Sequence, residues 1–248
     1  MAVTGLACGF LNTVASSGSA VSLPILMLAG LHAVDANATN RIPVLIGGLA
    51  ASAQLARSGV VRWKYVALAG VPVTAGAACG AVLAELVPSH DIRMLITGAI
   101  VMALVLILTK LKEMIRSAPL GEPRFGWKQV GWFLLVGLWI GFLVLDGATY
   151  MLLVLLLSMR LPLIQANAVK SALLVPTTAV AMLIFAARGS IDWPLGAAMA
   201  LGSTAGGVLG ARLAVSERAH RWIVGLLIFV VVAELIQLTV RYCFDLLG

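Results

Sequence analysis

Charge is scarce in this chain. Charged residues make up 11% of its 248 residues, where a soluble domain carries about 25%. So few charges could not cover a water-facing surface, which excludes an ordinary soluble protein. Cysteine is scarce as well. Cys8, Cys79 and Cys243 are scattered and odd in number, which argues against a disulfide framework or a thiolate metal site. Cys8 and Cys79 read as small apolar packing residues. His32, His90 and His220 lie far apart, whereas metal ligands or a nucleophile–base pair must converge. No metal, no cofactor and no enzymatic activity are therefore implied. A Walker-type phosphate loop is missing too, so the chain alone is not expected to use ATP. The first apolar block has neither a basic stretch before it nor a cleavage site after it, and it reads as mature protein rather than a signal peptide.

Apolar residues are abundant, at 61% of the chain, with a mean hydropathy of +1.06. They fall into eight blocks, near residues 5–30, 39–57, 65–87, 92–110, 130–157, 167–187, 194–214 and 222–240. A helix needs about 20 apolar residues to cross a hydrocarbon layer about 30 Å thick. The class expected is an all-α polytopic membrane protein with about eight transmembrane helices. The basic pI then reflects cations flanking the blocks rather than nucleic-acid binding. Trp63, Trp127, Trp132, Trp193 and Trp222 sit at block edges, as an aromatic belt would. Glu85 and Glu234, near block ends, read as interfacial, and Gln54 as a polar residue along a path.

The chain also repeats itself. Gly-Leu-x-x-Gly-Phe-Leu occurs at 5–11 and at 137–143, and Ala-Asn-Ala at 36–38 and 166–168. Trp63 is echoed by Trp193, and Thr74-Ala75-Gly76 by Thr204-Ala205-Gly206. The division expected is a first membrane repeat at 1–116, a basic linker at 117–129 carrying Pro119, Gly121 and Pro123, and a second membrane repeat at 130–248. Glycine-rich faces at 70–80 and 202–210 read as tight helix packing. Such a duplicated, apolar chain fits a two-halved transporter.

The first block of each half is polar where lipid would forbid it. Asn12, Thr13, Ser16, Ser17, Gly18, Ser19, Ser22 and Pro24 interrupt the first, and Leu-Asp-Gly-Ala-Thr-Tyr at 145–150 the second. A broken or re-entrant helix lining a cavity tolerates such residues, and its free N–H groups suit a small anion. If both blocks fold back, each half crosses three times and the halves are inverted; if both cross fully, the halves are parallel and both termini share one side. Counting cations on full crossings puts both termini in the cytoplasm. Asp146 is the one acid well inside a block, and it suits proton coupling or a counter-ion role. Asn37, Asn40 and Arg41 are matched by Asn167 and Lys170 at helical spacing. Arg41 and Lys170 would bring one cation from each half to an oxyanion, with Asn37, Asn40, Asn167, Ser16, Ser17, Ser19 and Thr149 completing the substrate site.

These features resemble the TauE/SafE sulfite-exporter family. The resemblance rests on the eight blocks in two halves, Gly-Phe-Leu-Asn-Thr-Val-Ala-Ser-Ser-Gly-Ser-Ala near the start, Ala-Asn-Ala-Thr-Asn-Arg at 36–41, Leu-Asp-Gly-Ala-Thr-Tyr at 145–150 and Ala-Asn-Ala-Val-Lys at 166–170. It covers essentially the whole chain. Ser17-Gly18-Ser19-Ala20 stands where many members have a glycine cluster, which marks a divergent branch. The resemblance implies a bacterial inner-membrane secondary transporter of small sulfur-containing anions such as sulfite, sulfoacetate or organosulfonates, working as an exporter. The alternatives are a transporter or channel for another small anion such as a carboxylate, or a membrane assembly protein. The partners implied are a small anionic substrate and the lipid bilayer, with a homo-oligomer open and no nucleic acid.

Overall fold

The computed structural model describes residues 1–86, 123–145, 147–216 and 225. The blocks near 92–110 and 222–240, Asp146, His90, His220, Cys243, Trp222, Glu234 and part of the linker lie outside them. The described residues are all-α. The elements are α1 (Ala2–Ala15), α2 (Gly18–Leu28), α3 (Ala33–Thr39), α4 (Arg41–Arg57), α5 (Trp63–Leu86), α6 (Trp127–Phe142), α7 (Gly147–Leu153) with a π-helical turn at Val154–Ser158, α8 (Leu163–Arg188) and α9 (Trp193–Ala214). Among them, α5 and α8 are long and apolar enough to cross a membrane.

The first block is not one helix. α1 and α2 span about 21 and 16 Å at 1.5 Å per residue, each short of a crossing. The chain reverses at Ser16, whose φ of 62° is left-handed. Gly18 then packs on Cys8 and Asn12, and a Cβ there would overlap the Cys8 carbonyl oxygen. Ser22, one turn further on, reaches Cys8 again. The start of α2 thus meets residues well before the end of α1, so α2 folds back on α1 as a hairpin. The same happens in the second half. α6 stops at Phe142, Leu143 is extended, Gly147 packs on Ile140, and Gln129 at the start of α6 bonds Ser158 at the end of the π-turn. Low helix propensity explains the first stop, because Ser16, Ser17 and Gly18 arrive together.

Glycine seams hold the long elements. Gly5 and Gly9 of α1 rest on the Met199 and Ser203 backbone of α9, while Gly202 and Gly206 of α9 rest on α1. Gly137 and Gly141 of α6 rest on Val73 and Ala77 of α5, and Gly76 and Gly80 answer from α5. At each of these positions a Cβ would overlap backbone, so the small residues expected for tight packing serve that purpose. In both seams later residues pair with later residues, so the helices run parallel. α4 and α8 run oppositely: Arg41 lies against Phe185, Gly48 against Val175, and Arg62 just past α4 bonds Gln165. Gly137 meets Val73 as Gly9 meets Ser203, so in space Gly137 takes the place of Gly9 rather than of Gly5. The breaks align between halves, and the sequence motifs are offset by one helical turn.

Candidate functional site: two helix breaks capped from opposite halves

A helix that stops inside an apolar bundle leaves four carbonyls without partners and a partial negative charge at its end. At the end of α6 every one of those carbonyls is met. The Trp139 carbonyl accepts from Leu143 N–H at 2.8 Å. Arg41 donates from Nη1 to the Ile140 carbonyl at 2.6 Å and from Nη2 to the Gly141 carbonyl at 2.8 Å. Asn37 donates from Nδ2 to the Phe142 carbonyl at 3.0 Å, and its Oδ1 accepts from Val144 N–H at 3.0 Å. Asn37 thereby bridges the break as a strip of backbone would. The guanidinium is fully buried and lies 5.3 Å from the Phe185 ring centroid, a cation–π contact favoured where water is absent.

Lys170 does the same work at the other break. Its Nζ donates to the Asn12 carbonyl at 2.9 Å, to the Thr13 carbonyl at 3.4 Å and to Ser16 Oγ at 2.9 Å. Ser17 Oγ donates to the Ala15 carbonyl at 3.2 Å. Thr149 Oγ1, from α7, donates to the Ser16 carbonyl at 3.3 Å. The arrangement is reciprocal: Arg41 of the first half caps a helix of the second, and Lys170 of the second half caps a helix of the first. Lys170 is fully buried and tied to the main chain, so it does not snorkel to an interface.

The expected site residues therefore separate into groups. Ser16, Ser17, Thr149 and Lys170 meet at the first break, and Asn37 and Arg41 at the second. Asn40 joins a third cluster, donating to Ser19 Oγ at 3.1 Å and accepting from Ser22 Oγ at 2.7 Å. The Cys8 thiol also touches this cluster, so Cys8 is more than apolar packing. Phe185 beneath Arg41 was not legible as a site residue, because a lone phenylalanine in a helix looks like any other core residue. Asn167 stands apart. It is fully buried, and neither Oδ1 nor Nδ2 has a hydrogen-bond partner, although Asn37, 130 residues earlier, uses both atoms. Among the described residues no cluster of histidine, cysteine and acids could hold a metal.

Broken, reciprocally capped helices with buried polar groups at the breaks belong to helical membrane transporters, whose discontinuous helices frame the substrate. The sulfite exporter TauE/SafE family model matches residues 1–235, and the chain belongs to that family. It is a membrane transporter and not an enzyme. It is similar to "Probable membrane transporter protein YfcA" of Escherichia coli (strain K12), 25% identical over 84% of this chain and 77% of that protein. It is also similar to "Probable membrane transporter protein ORF9" of Sinorhizobium sp, 26% identical over 95% of this chain and 90% of that protein. A "Probable membrane transporter protein" of Haemophilus influenzae is 26% identical over 86% of this chain and 83% of its own length. No solved structure matches the chain.

Proposed function

We propose that this chain is a secondary transporter that moves a small sulfur-containing oxyanion, such as sulfite, sulfoacetate or an organosulfonate, outward across the inner membrane. One observation carries the reading. Lys170, with no solvent exposure, is held at a helix break beside the Ser16 and Thr149 hydroxyls. A buried cation is costly and its presence points to function. Arg41, Asn37, Asn40, Asn167, Ser17 and Ser19 complete the candidate binding set, and Asp146, outside the described residues, is the candidate for proton coupling or a counter-ion. The membrane potential supplies about 2.3 kcal/mol per charge at 100 mV, so outward movement of an anion does not require a proton.

The hairpins and the antiparallel α4–α8 pair support two inverted repeats, each with a re-entrant hairpin in place of its first crossing. Alternating access follows when one repeat exchanges shape with the other. The orientation follows from charge. Arg57, Arg62, Lys64, Arg124, Lys128, Arg160 and Arg212 gather at the end where α4 stops and α6 and α8 start. Arg188, Asp35, Glu85 and Asp192 occupy the opposite end. The positive-inside rule makes the first end cytoplasmic. Because α1 starts at the opposite end, the N-terminus lies outside. Full crossing of the first block would instead give a cytoplasmic N-terminus; the hairpin supports the outside placement.

The test is sulfite efflux from proteoliposomes under an imposed potential. Wild-type flux, with a loss of tenfold or more in Arg41→Ala and Lys170→Ala, is the expected result. Flux unchanged in both variants would sink the oxyanion site.

A further inference from the structure

We infer that the substrate seat lies at the first break alone, that Asn167 is its recognition residue, and that it takes an oxyanion monoanion which still carries one proton. The inference rests on the oxyanion-transport reading above and names the ligand of that site. The two breaks share a plan but differ in completeness. At the second, Asn37 spends both amide atoms on Phe142 and Val144, and Arg41 closes the remaining carbonyls. One donor there, Arg41 Nε–H, has no partner, but no acceptor is left unmet beside it to read a ligand's hydroxyl. At the first, the register of the glycine seams sets Val14 and Ser16 where Phe142 and Val144 stand. Asn167 is the residue that should bridge them. It does not: the first break turns left-handed at Ser16, whereas the second leaves its helix through the extended Leu143. Its amide remains unpartnered with no solvent exposure, three residues before Lys170 on the same helix. Native chains leave such groups unmet only rarely, and a functional site is one reason they do.

The amide also states what it would bind. Nδ2 donates and Oδ1 accepts. A fully deprotonated oxyanion offers acceptors only, and it would face the Oδ1 lone pairs with negative charge. A hydrogen oxyanion satisfies both atoms, its O–H donating to Oδ1 and its other oxygens accepting from Nδ2. Lys170 balances one negative charge. Hydrogen sulfite fits this chemistry. Methanesulfonate, a monoanion with acceptor oxygens and no hydroxyl, does not. Arg41 and Asn37 are then positioning residues that hold the second break in shape.

Calorimetric titration of the purified full chain with hydrogen sulfite and with methanesulfonate, at one mildly acidic pH, tests the assignment. Wild type should prefer hydrogen sulfite by tenfold or more, since sites built for a hydroxyl reject analogues that lack it. Asn167→Leu should abolish that preference while its thermal midpoint stays level or rises. Should the leucine variant not fold, Asn167→Ala serves for the same readout. Asn37→Leu should lower the midpoint and keep the preference. Equal wild-type affinity for both anions overturns the ligand class. A preference that survives loss of Asn167 overturns the seat, and the unmet amide is then a packing defect or a water site, with the transport reading intact. A wild type that binds neither anion overturns the transport reading along with the inference.

Discussion

At the scale of single residues, the capping cations explain why arginine and lysine are not equivalent here. Arg41 reaches two successive carbonyls with one planar fork, which a lysine cannot do. Arg41→Lys is expected to leave one buried carbonyl unmet, at a cost of about 1–3 kcal/mol, read as a lower thermal midpoint in detergent. Ser16 presents two opposed effects. Its left-handed backbone costs roughly 1–2 kcal/mol, which Ser16→Gly would relieve. The same change removes an acceptor from a buried ammonium, a bond worth about 1.5–3 kcal/mol. The second effect is the larger, so Ser16→Gly should be mildly destabilising; a stabilised variant in chemical unfolding would contradict this. The cations and the matched asparagines were legible because polar residues are conspicuous in an apolar chain. What each would touch was not. The partners are main-chain carbonyls about a hundred residues away or more, and every residue carries a carbonyl.

At the scale of elements, the hairpins depend on close backbone approach. A Cβ at Gly18 would overlap the Cys8 carbonyl, and one at Gly137 the Val73 carbonyl. Neither obstacle is a flexible side chain, so the helices themselves would have to separate. Gly137→Val and Gly18→Ala are both expected to reduce the yield of folded protein severely, measured by size-exclusion chromatography after extraction. Gly131→Ala, where a Cβ meets nothing within 4 Å, is the matched control and should be neutral or slightly stabilising, given the helix propensities. The helices α4, α5, α8 and α9 were legible to within a few residues, because a long apolar run bounded by tryptophan, glycine or arginine has few alternatives. The two hairpins were only half legible. Serine, glycine and proline announced a break, but composition cannot say whether a chain continues through a break or turns back. Contacts such as that of Ser22 with Cys8 decide it.

At the scale of the whole molecule, the separation of charge between the two ends makes a topological prediction. Reporter fusions after residue 60 should report the cytoplasm, and a reactive cysteine placed at residue 3 should be labelled from outside intact cells by an impermeant reagent. Labelling only after permeabilisation would show that the first block crosses fully. The exposed tryptophans fit the same picture. Trp63, Trp127 and Trp193 stand at helix starts and are 58%, 90% and 54% exposed, where an interface would receive them.

Reciprocal capping also has a bearing on how the protein is made. Arg41 leaves the ribosome 99 residues before Ile140, and Asn12 leaves it 158 residues before Lys170. At about 5–20 residues per second, a bare guanidinium waits roughly 5–20 s for the carbonyls it will cap, and the end of α1 waits longer for its ammonium. Neither half can complete its own broken helix. Until the second half arrives, the cation and the break of the first half lack the partners they have in the fold. Although the sequence repeats itself, each broken helix is completed only by a residue of the other half.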